Sequence, residues 1–284
     1  MALELARRLD GEVVSFDSRQ VYRGIEVSSN APRQAERQGV PVHLVGVLDP
    51  HQDVTAASYV DMARTSVAAI REGRQLIFTA GTGMYLKAYL EGLDLGGMGA
   101  VAGLRQQLES EAASDLPGLA RRLSELSPGL AAQTDLRNPV RVVRRMELLW
   151  AAAMAADGSP GVPSGRVDAV KVGLRVAAAE TEAAIAARID GMLAGGWREE
   201  VEALLALPVP PAAQVLNSIG VAEMVAHVRG EIDAAELRRT VVLRTRQYAK
   251  RQRTWFRGDP EVRWIDAGNK AASDIVANVL EMLA

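Results

Sequence analysis

Asp17, Ser18, Arg19 and Gln20 follow directly on a short apolar run, Val13 to Phe16. An acid trailed by a hydroxyl, a guanidinium and a carboxamide suits substrate work, because the group can take up a proton and present fixed polar contacts. The apolar run reads as a buried strand, which puts Asp17 just past its carboxyl end, where open α/β sheets gather their ligands. The same residues also fit a strand-to-loop turn in which Asp17 and Ser18 cap neighbouring backbone groups.

A second stretch of this kind is Ala80-Gly81-Thr82-Gly83, between a strand pattern at Leu76 to Thr79 and a helical one at Met84 to Leu90. Glycines at such a turn let a ligand approach the backbone, and a helix start favours anions; a tight turn with no ligand is the alternative. A third stretch is Leu237 to Gly258, with eight basic residues and no acidic one. At about 100° per residue, Arg239, Arg246, Lys250, Arg253 and Arg257 form one stripe opposite Leu237, Val241, Tyr248 and Trp255. Uniform sign over so long a helix favours contact with a phosphate backbone over a solvated face.

The elements that must position these residues follow in order. Met1 to Leu9 is an amphipathic helix pattern, Ser28 to Gly39 a polar loop without regular structure, and Thr55 to Ile70 a helix with Tyr59, Val67 and Ile70 on one side. After a glycine-rich break at Gly92 to Gly103 the pattern is helical, with Leu104 and Leu108, then Leu119, Leu123 and Leu126, then a helix that Asn138-Pro139 opens. Arg141, Arg144 and Arg145 share a side of that third helix. Asp157 to Gly165 reads as a linker, and Lys171 to Val176 as a returning strand. Thr181 is expected to cap the next helix, which Gly195-Gly196 ends before another that starts near Trp197. Val262 to Ile265 is expected to close the sheet as an edge strand, before a last helix from Ile275 to Leu283.

Composition narrows the classes. The 284 residues, 48% of them hydrophobic, are enough for one large domain or two. A net charge of -2 gives no global attraction to nucleic acid, so such binding must come from local basic patches. There are no cysteines, and His43, His51 and His227 have no metal-ligand spacing. Neither a bilayer-spanning run nor a secretory leader is apparent, so a cytoplasmic protein is expected.

Asp17-Ser18-x-Gln20-Val21-Tyr22-x-Gly24 resembles the signature of the tRNA dimethylallyltransferases. Further matching segments run in order along nearly the whole chain: Val40-Pro41 with His43-Leu44 and Asp49-Pro50; Gly81 to Tyr85; Asn138-Pro139 with Arg141, Arg144 and Glu147; Tyr248 to Gln252 with Thr254 to Arg257. Four positions depart from the pattern, since the family usually has lysine at Ala31, histidine at Val42, aspartate at Gly46 and glycine at Ala80. In the family a first strand and a Gly-x-x-x-x-Gly-Lys-Ser/Thr loop precede the helix at Met1 to Leu9. Neither stands in this sequence, so either the chain begins downstream of its true start or it has lost that phosphate cradle.

The resemblance implies an α/β, P-loop-NTPase-like doubly wound, mostly parallel sheet with a helical insertion domain. Residues 1–95 and 166–284 would form the catalytic core, and 96–165 the tRNA-binding insertion. It implies transfer of a dimethylallyl group from its diphosphate to the exocyclic amine of the adenosine beside the anticodon, with Mg²⁺ as cofactor. Asp17 would be the catalytic base. Asp17, Ser18, Arg19, Gln20, Thr82, Arg105, Val140, Arg141, Val142, Val143, Arg144, Asn217, Arg244, Arg246 and Lys250 would contact the tRNA anticodon stem-loop, with the chain as a monomer. Two rivals stand beside this reading. A nucleotide-dependent kinase on the same sheet predicts nucleotide turnover without tRNA, and an inactive tRNA-binding relic predicts salt-sensitive binding without turnover.

Overall fold

The computed structural model describes residues 1–93, 103–154 and 165–283 and divides into two units, Met1–Glu91 with Val167–Ala284, and Gly92–Arg166. The expected glycine-rich break and the expected linker lie largely outside the described residues.

The first unit opens with helix α1 (Ala2–Arg8), which buries Ala6 against Val13 and Val40. Strand β1 (Gly11–Phe16) has Val13, Val14 and Phe16 all buried, as a strand covered on both faces requires. Where only loop was expected, residues 34–37 form a short helix, α2 (Gln34–Arg37), because Glu36 accepts the Arg33 backbone N–H and closes its first turn. Strand β2 (Val42–His43) and, after helix α3 (Ala56–Ala68), strand β3 (Gln75–Ala80) both run parallel to β1, in the order β2-β1-β3. Helix α3 starts at Thr55, whose hydroxyl accepts the Ser58 N–H. The register pairs Phe16 with Ala80, so the residues that leave β1 and β3, Asp17 and Gly81, emerge side by side. Helix α4 (Gly83–Leu90) follows at once. Phe16 packs its ring 5.9 Å from Tyr59, 5.6 Å from Phe78 and 5.3 Å from Tyr89, an aromatic cluster beneath the strand ends.

The second unit holds α5 (Leu104–Leu126), α6 (Pro128–Ala132) and α7 (Pro139–Met154). Helix α5 is two helical segments joined at a kink, where Asp115 leaves helical geometry (φ -147°) ahead of Pro117. Its core gathers Leu108, Leu119, Leu123, Val142, Val143 and Met146.

The first unit resumes with β4 (Lys171–Arg175) and helices α8 (Ala178–Ala194), α9 (Trp197–Leu205), α10 (Ala213–Leu216), α11 (Val221–Val228) and α12 (Ala234–Arg257). It ends with β5 (Val262–Asp266) and α13 (Ala272–Leu283). Strand β5 does not extend the β2-β1-β3 ladder; it pairs in parallel with β4 as a separate ladder. Apolar patterning marks a strand but not its neighbour, so the expected single ladder resolves into two. Thr181 does not cap α8, which begins three residues earlier; its hydroxyl donates to the Ala177 carbonyl from inside the helix. Ile185, Ile189, Trp197, Val201, Met224, Leu237 and Val241 form one cluster under these helices. Burying such side chains is worth roughly 1.5–3 kcal/mol each against about 0–1 for an exposed ion pair, so packing holds this layer. No helix among the described residues is long and apolar enough to cross a membrane.

Candidate active site

The site starts from the strand register. Asp17 leaves β1 beside Gly81 leaving β3, and each end is tied to its surroundings. The Asp17 backbone N–H donates to the Tyr59 hydroxyl at 3.2 Å, and that hydroxyl donates to the Ser15 carbonyl at 2.6 Å. Oδ1 of Asp17 accepts the backbone N–H groups of Arg19 (2.8 Å) and Gln20 (3.3 Å), so the carboxylate does cap the turn. Oδ2 has no hydrogen-bond partner among the described residues. It lies over the Cα of Gly81, where a Cβ would come within 2.3 Å of it. One carboxylate oxygen builds the turn and the other takes no part in it.

The glycine turn is held from the other side by α12. The Gly81 carbonyl accepts from the Tyr248 hydroxyl (2.8 Å) and from the Gln252 side-chain amide (2.9 Å), residues one helical turn apart. Trp255, a further turn along, lies against Gly83, where a Cβ would meet its indole at 2.4 Å. Thr82 accepts the Ser18 N–H at 3.3 Å, stands 3.3 Å from the Ser18 hydroxyl, and donates its own N–H to the Phe16 carbonyl. Asp17, Ser18 and Thr82 are thus brought together.

Arg19 and Gln20 are placed differently from each other. Arg19 has no carboxylate partner among the described residues, and its charge opposes the upward shift that burial gives the phenols of Tyr22, Tyr85 and Tyr248. The Arg19 charge is thus within electrostatic reach of all three phenols. Burial pushes the Tyr22 phenol up to about 12, and raises that of Tyr59, with the negative Asp17 adding to the rise. Gln20, by contrast, spends its carboxamide inside the protein: it accepts from the Ser15 hydroxyl (2.9 Å) and donates to the carbonyls of Asn30 (3.2 Å) and Ser29 (3.4 Å). Asn217 stands at the end of α10, and that helix reaches the motif through Gln214, which donates to the Tyr22 hydroxyl.

Helix α12 divides its cations. Arg238 pairs with Asp190, Arg239 with Glu236, Arg244 with the buried Glu223, and Arg246 with Glu182. Lys250, Arg251, Arg253 and Arg257, from Tyr248 onward, have no carboxylate partner among the described residues, and Arg251 lies 5.8 Å from the Tyr248 ring centroid. The free positive charge is confined to the half of the helix that meets Gly81. Trp255 is half exposed, not packed away as the helical stripe implied, because a glycine offers its ring only one surface.

In the second unit Val140 is exposed and Arg141 lies on the surface, but Val142 and Val143 are buried in the unit's core. Their side chains cannot present themselves to a partner. Arg105 and Arg144 both approach Glu147, at 3.8 and 3.3 Å.

Sequence reasoning missed Tyr59, Tyr248, Gln252 and Gln214 as parts of the site. The tyrosines occupy apolar helix positions, and nothing in the spacing says that their hydroxyls reach strand ends. No three His, Asp or Glu side chains among the described residues are grouped to hold a metal, and the carboxylate at the strand ends is Asp17 itself.

Comparison with known proteins identifies the chain's relatives. A family model described as IPP transferase matches residues 20–259. A tRNA dimethylallyltransferase of Geobacter metallireducens is 37% identical over 275 residues, covering 95% of this chain and 89% of its own. Among solved structures, the full-length tRNA isopentenylpyrophosphate transferase of Bacillus halodurans superposes with a TM-score of 0.72 at 31% identity, over 99% of this chain and 90% of that one. A eukaryotic dimethylallyltransferase acting on tRNA shares the fold at a TM-score of 0.79 and 21% identity, over 99% of this chain and 73% of that one.

Proposed function

The chain belongs to the IPP transferase family, and from that premise we propose that it moves a dimethylallyl group from dimethylallyl diphosphate to the exocyclic amine of the adenosine 3'-adjacent to the anticodon. It is a prenyltransferase acting on tRNA, as its relatives are named. The donor, the target amine and the position in the loop are our finer reading.

The observation that carries this reading is the division of labour in the Asp17 carboxylate, with Oδ1 fixed by the turn and Oδ2 without a partner against Gly81. The lone pair of an adenine amine is delocalised into the ring, so the amine is a poor nucleophile until a base takes its proton. In the reaction the amine nitrogen bonds to the allylic carbon while that carbon's bond to the diphosphate oxygen breaks. The diphosphate leaves with the bonding electron pair, and the amine proton passes to Oδ2 of Asp17. Arg19 supplies a positive charge at the same strand end, suited to a departing diphosphate or to a tRNA phosphate. The target base must first leave its stack, a cost of a few kcal/mol that contacts to the rest of the loop must offset.

In this reading Ser18, Thr82, Asn217 and Lys250, with Asp17 and Arg19, are the tRNA contacts of the first unit, and Arg105, Val140, Arg141 and Arg144 are those of the helical unit taken by itself. Arg244 and Arg246 contribute less, since each already holds a carboxylate. Among the described residues no three His, Asp or Glu side chains are grouped to hold a metal ion, and Asp17 is the carboxylate at the strand ends. Mg²⁺ is proposed as the ion that accompanies the diphosphate donor and would neutralise charge on the leaving group. We place the protein in the cytoplasm as a monomer.

The direct test is to incubate the chain with dimethylallyl diphosphate, Mg²⁺ and tRNA, then digest the tRNA and weigh its nucleosides. A prenylated adenosine is expected. Nucleotide turnover without change in the tRNA would favour the kinase reading, and binding without product the relic.

A further inference from the structure

We propose that Glu200, on α9, is a positioning residue for the Asp17 turn and acts through Gln20; the proposal rests on the transferase reading above. Glu200 is remote from Asp17 in sequence and sits in a helix whose pattern shows only a packing face. In the fold its carboxylate accepts three hydrogen bonds from one loop: the Val27 N–H at 2.6 Å, the Ser28 N–H at 2.8 Å and the Ser28 hydroxyl at 2.6 Å. The Ser28 hydroxyl in turn accepts from the indole N–H of Trp197 at 2.9 Å. Trp197 is fully buried and is seated against Gly220, where a Cβ would meet the ring at 2.8 Å. The anchor is therefore rigid on the α9 side.

The loop passes that rigidity on. The N–H groups that follow are used within the loop, Ser29 to Ile25, Asn30 to Val27 and Ala31 to Glu26, which folds it into a compact turn. That leaves the carbonyls of Ser29 and Asn30 to take the two N–H bonds of the Gln20 carboxamide, whose oxygen takes the Ser15 hydroxyl. With the side chain so clamped, the Gln20 N–H is held toward Oδ1 of Asp17. Burial raises the Glu200 carboxyl above its usual range, opposed by the bonds from Ser28 and Val27, as expected of a carboxylate committed to the interior. A glutamine at this position would turn an NH₂ toward an N–H and break one of the three bonds, with little change in volume.

The experiment uses Glu200→Gln, Gln20→Ala and the double variant, with Ser28→Ala as a milder break in the same chain should Glu200→Gln fold poorly. In single-turnover assays Glu200→Gln should lower the transfer rate about tenfold with the tRNA Kd changed by less than about twofold. Gln20→Ala should do the same, and the double variant should be no slower than the slower single one, because both act along one path. Amide exchange at Arg19 and Gln20 should quicken in Glu200→Gln while α12 and β1 keep wild-type protection. Losses that multiply in the double variant, or faster exchange confined to Val27 and Ser28, would overturn the proposal. If the wild-type chain itself transfers nothing, the transferase reading falls, while the exchange at Arg19 and Gln20 still decides whether Glu200 holds this turn.

Discussion

Oδ2 of Asp17 lies so close over Gly81 that a single added methyl at residue 81 would stand 2.3 Å from it. The contact follows from the parallel register of β1 and β3, which brings Phe16 beside Ala80 and sends the next residue of each strand into the same space. Gly81→Ala is therefore expected to displace the carboxylate without disturbing the strands. A shift near 1 Å at a reacting group costs on the order of a hundredfold in rate. Steady-state transfer kinetics with a circular dichroism control test this, and a near-wild-type kcat/KM would mean that Oδ2 is not where the chemistry occurs.

The Gly81 carbonyl has two donors from α12, Tyr248 and Gln252. Removing one hydroxyl, in Tyr248→Phe, should cost about 1 kcal/mol of stability, the net worth of an ordinary hydrogen bond. Adding Gln252→Ala should cost more than the sum of the single changes, since only the double variant leaves the carbonyl unsatisfied. Urea denaturation midpoints for the three variants settle the comparison; strictly additive losses would contradict it.

All five tyrosines, Tyr22, Tyr59, Tyr85, Tyr89 and Tyr248, have phenols raised above their usual value by burial. A phenol whose folded pKa is raised contributes stability that is complete below the unfolded value, near 10, and is lost as pH rises through the folded one. The phenolate absorbance should therefore begin to rise at a higher pH than that of free tyrosine. It should then rise together with loss of the fold. A tyrosine that titrates near 10 in the folded protein would show that one of these rings is open to solvent.

The two halves of α12 should respond differently to salt. Lys250→Ala and Arg253→Ala remove cations that have no carboxylate partner among the described residues, whereas Arg238 and Arg246 are paired. Removing a cation that neutralises one phosphate should lower the slope of log affinity against log salt by about 0.7–0.9. Filter binding of tRNA across a salt series should show that change for Lys250→Ala and a smaller one for Arg246→Ala. Equal slopes would mean that the unpaired cations are merely solvated.

Much of this site was legible in the sequence because its parts flank apolar runs. Val13 to Phe16 and Leu76 to Thr79 mark strands, so Asp17 and Gly81-Thr82 could be placed at their carboxyl ends before any fold was known. What was not legible depends on distance in the chain. Glu200 meets Ser28 across 172 residues, and Tyr248 meets Gly81 across 167, and local periodicity records neither pairing. The same limit explains the ladders, since Val262 to Ile265 reads as a strand whichever neighbour it takes. The stretch Val140 to Arg144 matches the family pattern as a whole, while helical spacing sets Val142 and Val143 on the apolar side, which the fold buries.

The most direct test of the central claim is Asp17→Asn. Asparagine keeps an oxygen for the Arg19 and Gln20 N–H groups, so the turn should hold, and it replaces the free oxygen with a group that cannot take a proton. Single-turnover transfer to tRNA should fall by about 10²–10⁴-fold while the Kd for tRNA stays close to wild type. Transfer at the wild-type rate in this variant would remove Asp17 as the base.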